Sequence, residues 1–442
     1  MQRRQILQLL PFSLTLWTST VYGANQPEDI VKLFDMAASK HRRELGNLWQ
    51  MRGTPRIRLS NVSSQSIARV LAIAPTNSSE LTYPRHTCVL FYSYDKDNLQ
   101  TWLLKDSGIE AYHRQTISKD TLTEAITALR NSLNVDTLQR SRMARPKRAN
   151  QILPLANDNH TRVSCDRAIS DLTQILLPTP IAQAIATARH LILVPTLDIG
   201  TVPYAILQPF PDKSFLIEQM SISIAPSLFD IGQTLHTWMA RRVFKSPLII
   251  GNPYIPPSIY WSVPPLPGAE EEAQAIAKIL NEPPLIGKEA TKTEILSRVT
   301  QASLLYIATH GVASTHSPLS ESFLMLSADK IEKGWWTAKE IQSLKLNASI
   351  AILSACQTGL GQAHDAGIIG LSRAFQIAGV PRVVMSLWSV DDQATNKLMQ
   401  TFVKHLETHI PAEALRQAML EAKQQYADPS QWASFVIFGT PR

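Results

Sequence analysis

The sequence predicts an α/β chain: a mostly parallel sheet flanked by helices, preceded by a smaller α+β region. Three observations carry that reading. From residue 190 onward, short apolar runs alternate with longer amphipathic stretches, the rhythm of a parallel sheet. Two of those runs, SLLYIAT (303–309) and IAILSA (350–355), carry no charge at all, which marks strands covered on both faces. Residues 87–133 instead read strand, strand, strand, helix, with turn residues between the strands.

The chain has 442 residues, 44% of them apolar and 18% charged, which suits a folded chain with a large core and excludes a disordered one. Residues 1–23 have the three parts of a secretory signal: Arg3 and Arg4, an apolar stretch over 6–17, and small residues before Gly23. Cleavage after Gly23 is the expectation, with export to the periplasm or the outside. The alternative is a first helix of a cytoplasmic protein. Pro11 interrupts the apolar part, which is short for a membrane span, and no later stretch is long enough for one.

Residues 24–140 form the expected accessory region. Ile30, Val31, Leu33, Phe34, Ala37 and Ala38 recur at helical spacing within 28–50, and a shorter helix is expected over 66–74. Strands follow at 87–94, 99–104 and 109–115. A helix over 119–133 carries Leu122, Ala125, Ile126 and Leu129 on one face. Residues 141–165 read as a basic, polar linker. The run RSRMARPKR (140–148) accounts for part of the formal charge of +7; a basic run alone is weak evidence, so no nucleic-acid partner is expected.

Residues 166–442 form the main unit. Helical residues 165–188 are interrupted by Pro178 and Pro180, and strands are expected at 191–194, 215–224 and 246–251. Helices follow at 227–239 and 268–280, the latter with Glu270, Glu271 and Glu272 in a first turn whose dipole favours acids. Residues 254–267 read as an exposed, proline-rich loop. Beyond a strand at 284–286 and a helix at 293–300 come the uncharged run to 309, a polar loop (312–322), a strand at 323–326 and a helix at 337–344. The last elements are helices at 368–378, 393–409 and 412–426 and strands at 381–386 and 432–438. No solenoid-type repeat is present.

Two of the strands run into residues that carry chemistry. One ends in His310-Gly311, the other in a small-residue turn bearing Cys356. In open α/β sheets such residues gather beyond the carboxyl ends of the strands. If the two strands are neighbours, an imidazole meets a thiol, and the thiolate is the nucleophilic form. Glycine after the histidine leaves the backbone clear of a side chain. Taken singly, Cys356 would read as a buried thiol and His310 as a core or surface histidine.

The ordered set ATHG (308–311), PLS (318–320), LML (324–326), TAKEI (337–341), LSACQTGLG (353–361), GLSRAF (370–375) and SLWSVDD (386–392) resembles the CHAT family, caspase-like cysteine peptidases of the separase and gingipain group. The resemblance covers about residues 172–441. It implies a caspase-like fold with His310 as base, Cys356 as nucleophile, and the backbone N–H groups of Gly311 and Cys356 as oxyanion donors. It implies an endopeptidase acting on protein or peptide substrates, without a cofactor, and sometimes a regulated effector held inactive until a partner domain moves, a role open here to the upstream α+β region or to a regulatory protein partner. The chain departs from the family at His364-Asp365-Ala366-Gly367, where many members carry Gly-Glu-Gly. The Leu-Trp-x-Val-x-Asp context of separases puts Asp392 at the base of a pocket for a basic P1 side chain. Asp391 and Asp365 are further candidates for that acid, and Trp388 for a pocket wall. Equally, Asp391 or Asp392 reads as the cap of the helix starting near Gln393, and Trp388 as a core tryptophan. His316 and His364 read as loop residues. The rival readings are a non-enzymatic CHAT-fold interaction module and a small-molecule thiol hydrolase or acyltransferase.

Other chemistry finds no support. Cys88, Cys165 and Cys356 are too few for a disulfide framework; Cys88 and Cys165 are expected to be buried, with pairing in an exported chain as the alternative. No C-x-x-C spacing or histidine pattern suggests a metal. GLSRA (370–374) lacks the second glycine of a nucleophile elbow, and no phosphate-binding or dinucleotide-binding loop occurs.

Overall fold

In the computed structural model the uncharged runs lie side by side. It describes residues 20–21, 28–51, 62–72, 86–133, 164–233, 244–256, 263–312, 314, 319–355, 362–364, 367–388 and 392–439. Apart from Thr20 and Val21 the expected leader lies outside the described residues, as does the expected linker before residue 164.

The strands are β1 (Thr20–Val21), β2 (Thr87–Asp95), β3 (Asn98–Lys105), β4 (Gly108–Thr116), β5 (His190–Val194), β6 (Ser221–Ile224), β7 (Pro247–Pro253), β8 (Leu285–Gly287) and β9 (Leu304–Ala308). They continue as β10 (Gly311–Val312), β11 (Phe323–Met325), β12 (Trp335–Thr337), β13 (Ala351–Ser354), β14 (Gln362–His364), β15 (Gly367–Ile369), β16 (Arg382–Ser386) and β17 (Phe435–Gly439). Among the described residues, twelve of them form one sheet in the order β1-β4-β3-β2-β5-β6-β17-β16-β13-β9-β7-β8. From β2 to β8 every neighbouring pair is parallel except β17 with β16.

The antiparallel meander β2–β4 is hydrogen-bonded into this sheet, because β2 pairs with β5 from Thr87↔His190 to Phe91↔Val194. The accessory strands thus extend the main sheet.

The helices are α1 (Glu28–Met51), α2 (Ser64–Ala72), α3 (Lys119–Ser132), α4 (Cys165–Leu176), α5 (Thr179–Ile185), α6 (Leu216–Gln219), α7 (Leu228–Gln233), α8 (Pro267–Leu280), α9 (Lys292–Arg298), α10 (Ala338–Gln342), α11 (Leu371–Ile377), α12 (Asp392–His405) and α13 (Pro411–Gln425). Local chemistry sets many of their ends. Ser118, Ser164 and Thr291 accept from the third residue on to cap α3, α4 and α9, and Thr337 with Glu340 makes a capping box on α10. Asn281, in the left-handed region at φ 53°, closes α8.

Phe34 of α1 packs edge-on against Phe91 and Trp102, which stack on each other at 5.5 Å, covering one face of the meander. Leu122, Ile126, Leu129, Ile169 and Leu172 of α3 and α4 belong to the larger core on the other face, with Leu90, Tyr92 and Leu103. Helix α8 lies directly on β7: a Cβ at Gly251 would stand 2.4 Å from the Ala273 Cβ and 3.0 Å from the Ala269 carbonyl oxygen, so only a bare backbone permits this approach.

Some elements differ from expectation. Residues 216–219 are a short helix where a strand was expected, since the Glu218 carboxylate accepts the Phe215 N–H at 2.7 Å and closes a turn. Of the small sheet β10-β11-β12 only β11 was expected; β10, β12 and the hairpin β14-β15 were unforeseen, because strands of two or three residues are too short to show a period. Cys88 and Cys165 are both free thiols; Cys88 is buried, which pushes its thiol up to about 12, and Cys165 is partly exposed.

Candidate active site

The two chemistry-bearing strands are neighbours. β9 and β13 run parallel from Leu305↔Ala351 to Ala308↔Ser354. His310 follows Ala308 by the same interval in the chain as Cys356 follows Ser354. Of the site residues expected from sequence, His310, Gly311, Trp388 and Asp392 are described; Cys356, Asp365 and Asp391 lie outside the described residues.

His310 Nε2 stands 2.8 Å from the carbonyl oxygen of Pro264. A carbonyl can only accept, so this contact places the ring proton on Nε2 and leaves the Nδ1 lone pair available. Burial lowers the pKa of His310, and the Pro264 bond offsets part of that. The imidazole is therefore neutral at pH 7 and able to take a proton.

Pro264 is itself held in place. Asn252, at the end of β7, accepts the Leu266 N–H at 2.8 Å and donates to the Glu270 carboxylate at 3.0 Å. It does so from the left-handed region, at φ 45°, which Asn tolerates better than most residues. The sequence marked this Gly-Asn-Pro only as a strand end and the loop after it only as exposed. Nothing local signals that the loop supplies the imidazole's acceptor.

The loop after β9 is pinned through β11. The buried Thr309 hydroxyl donates to the Met325 carbonyl at 2.5 Å, and the Met325 N–H donates to the His310 carbonyl at 2.9 Å. With the His310 carbonyl facing β11, antiparallel alternation turns the Gly311 N–H the other way, out of the small sheet.

Asp392 opens α12 and is exposed. A Cβ at Gly268 would stand 2.5 Å from the Asp392 Cβ and 2.6 Å from its Oδ2, so this carboxylate rests on the first turn of α8. Two helix N-termini meet there, and both favour negative charge. Trp388, by contrast, is 1% exposed, and its Nε1–H donates to the Ser430 carbonyl at 2.8 Å; it is packed into the core.

One acid sits where the sequence did not put it. Glu272 does not share the solvated first turn with Glu270: it is 2% exposed and faces the sheet. The Tyr306 hydroxyl donates to its Oε1 at 2.8 Å, and Ser354, on the same face of the neighbouring strand, lies beside it. Burial raises its pKa to about 7; the bonds to Ser354 and Tyr306 lower it in part and the charge of Asp392 raises it. A signal was there to read, since Glu272 lies four residues before buried Ile276 and so on the apolar face of α8. Among the described residues, no group of three His, Cys, Asp or Glu side chains could hold a metal ion. No described helix is long and apolar enough to cross a membrane.

Comparison with known proteins adds three findings. The family model of the CHAT domain matches residues 166–440. Tetratricopeptide repeat protein 28 of Mus musculus is 26% identical over 297 residues, covering 57% of this chain and 12% of that protein; the Homo sapiens protein is 26% identical over 299 residues with the same shares. The chain thus spans only a small part of the length of these relatives. Among solved structures, the Saccharomyces cerevisiae separase–securin complex superposes with a TM-score of 0.54 at 12% identity, covering 93% of this chain and 34% of that one. That likeness is one of fold.

Proposed function

The chain belongs to the CHAT domain family, and from that premise we propose that it is a cysteine endopeptidase with His310 as base and Cys356 as nucleophile. The observation that supports this most is the state of His310. Its Nε2–H is spent on Pro264, so its Nδ1 is the free base, at the end of a strand in register with the one that leads to Cys356. Cys356 follows Ser354 by two residues, a backbone reach of at most about 7 Å from the end of β13.

In the proposed reaction Nδ1 takes the thiol proton as the sulfur attacks the scissile carbonyl. The C–N bond then breaks, and the imidazolium returns its proton to the leaving amine. Water, deprotonated by the same nitrogen, hydrolyses the thioester. The Gly311 N–H is one donor to the oxyanion, a contribution of about 2.7–4 kcal/mol in comparable sites. Asp392 favours Arg or Lys at P1, because it presents an exposed carboxylate. Control by a protein partner and export of the mature chain are part of the same proposal.

The test is hydrolysis of fluorogenic peptide amides differing at P1, with a peptidyl electrophile as a probe of the thiol. Cys356→Ala and His310→Ala should each lower kcat by at least about 10²-fold. Asp392→Asn should erase the preference for basic P1 without abolishing turnover. A folded protein that neither cleaves any peptide nor reacts with the electrophile at Cys356 overturns the assignment and leaves a CHAT-fold interaction module.

A further inference from the structure

Beneath the two strand ends lies a buried carboxyl that the reaction above leaves unused. We infer that Glu272 is a positioning residue: from α8 it ties together the strands that lead to His310 and Cys356, so that one side chain sets the spacing of base and nucleophile. This inference rests on the dyad reading.

Three connections converge on α8. Just ahead of its first turn, Pro264 holds the His310 ring. On its inward face Glu272 accepts from Tyr306, which lies in β9 upstream of His310, and lies beside Ser354, which β13 presents on the same face of the sheet two residues before Cys356. At Gly251 the helix touches the backbone of β7, which fixes its height above the sheet. A shift of α8 therefore moves the acceptor of His310 and the brace between β9 and β13 together. A buried acid is costly unless bonded, and here its hydroxyl partners come from those two strands.

The titratable groups facing Glu272 are Tyr306 from β9 and Asp392 from α12. β13 contributes the Ser354 hydroxyl, and β7 carries no titratable side chain. Protonation of Glu272 near neutral pH removes a negative charge from beneath the ends of β9 and β13, and on the dyad reading this favours the thiolate.

The experiment uses the full chain as wild type, Glu272→Gln, Glu272→Ala and Ser354→Ala, each checked for folding by circular dichroism. Two quantities are read from pH 5.5 to 9: kcat and KM on a peptide amide, and the rate of Cys356 alkylation by iodoacetamide, followed by mass spectrometry of the Cys356 peptide. Glu272→Ala should lower kcat by about 10²-fold, the effect of a misplacement of about 1 Å, with KM little changed. Glu272→Gln, whose amide oxygen still accepts from Tyr306, should restore most of kcat. It should also lose the inflection near pH 7 and move the alkylation profile to lower pH, since a removed negative charge favours the thiolate. If Glu272→Ala does not fold, Glu272→Gln and Ser354→Ala carry the test. Folded variants with wild-type kcat, KM and pH profile overturn the inference. If the wild type cleaves nothing, the dyad reading fails separately, and a Cys356 alkylation rate unchanged in folded Glu272→Ala and Ser354→Ala still overturns the brace.

Discussion

Replacing Glu272 by Gln should change how the stability of the fold depends on pH. The carboxyl ordinarily titrates at 4.5, and burial beside Tyr306 and Ser354 moves it to about 7 in the fold. Between those values the folded chain holds a proton that the unfolded chain has released. Its contribution to stability is therefore fully present below pH 4.5 and is lost as pH rises through 7. At 1.36 kcal/mol per pH unit, the gap amounts to about 3 kcal/mol. Glutamine does not titrate and keeps the Tyr306 bond. Urea unfolding of both proteins at matched pH values from 4 to 8.5 gives the difference directly. That difference should move in favour of Glu272→Gln by about 3 kcal/mol across the range. Buried His41 and His190, which burial lowers to about 4 and about 3, cost stability as pH falls below 6.5, but equally in both proteins. An offset that stays constant with pH would refute the reasoning, because it would mean that Glu272 titrates in the fold as it does in the unfolded chain.

Two other substitutions probe the support of the site. Gly251→Ala places two methyl groups 2.4 Å apart and should force α8 off β7, costing about 1–3 kcal/mol; an unchanged thermal midpoint would contradict the close approach. Asn252→Gly keeps the left-handed backbone but removes the bond from Leu266 that holds the Pro264 loop and the bond to Glu270 that ties Asn252 to α8, so kcat should fall while the fold survives; undiminished kcat would show that the loop holds His310 without them.

Much of the fold was legible because its causes are local. The uncharged runs that became β9 and β13, the caps at Ser118, Ser164 and Thr337, and the turns of the meander are set by residues a few positions apart. The pattern likewise marked the two strands that proved to be neighbours, one of which leads to His310-Gly311; Cys356, beyond the end of the other, lies outside the described residues. Strands of two or three residues, such as β10 and β12, carry no period to read.

What the sequence by itself determined was therefore most of the longer strands and helices, and that a histidine and a cysteine follow two of the uncharged runs. Only the tertiary structure decided that β2 joins β5, that β17 enters antiparallel beside β16, and that the ring of His310 meets Pro264. It also decided that Glu272 turns inward while Glu270 reaches Asn252 at the rim. A helix rotates by about 100° per residue, so neighbouring acids face different surroundings, and which surroundings those are depends on a sheet assembled from residues far along the chain.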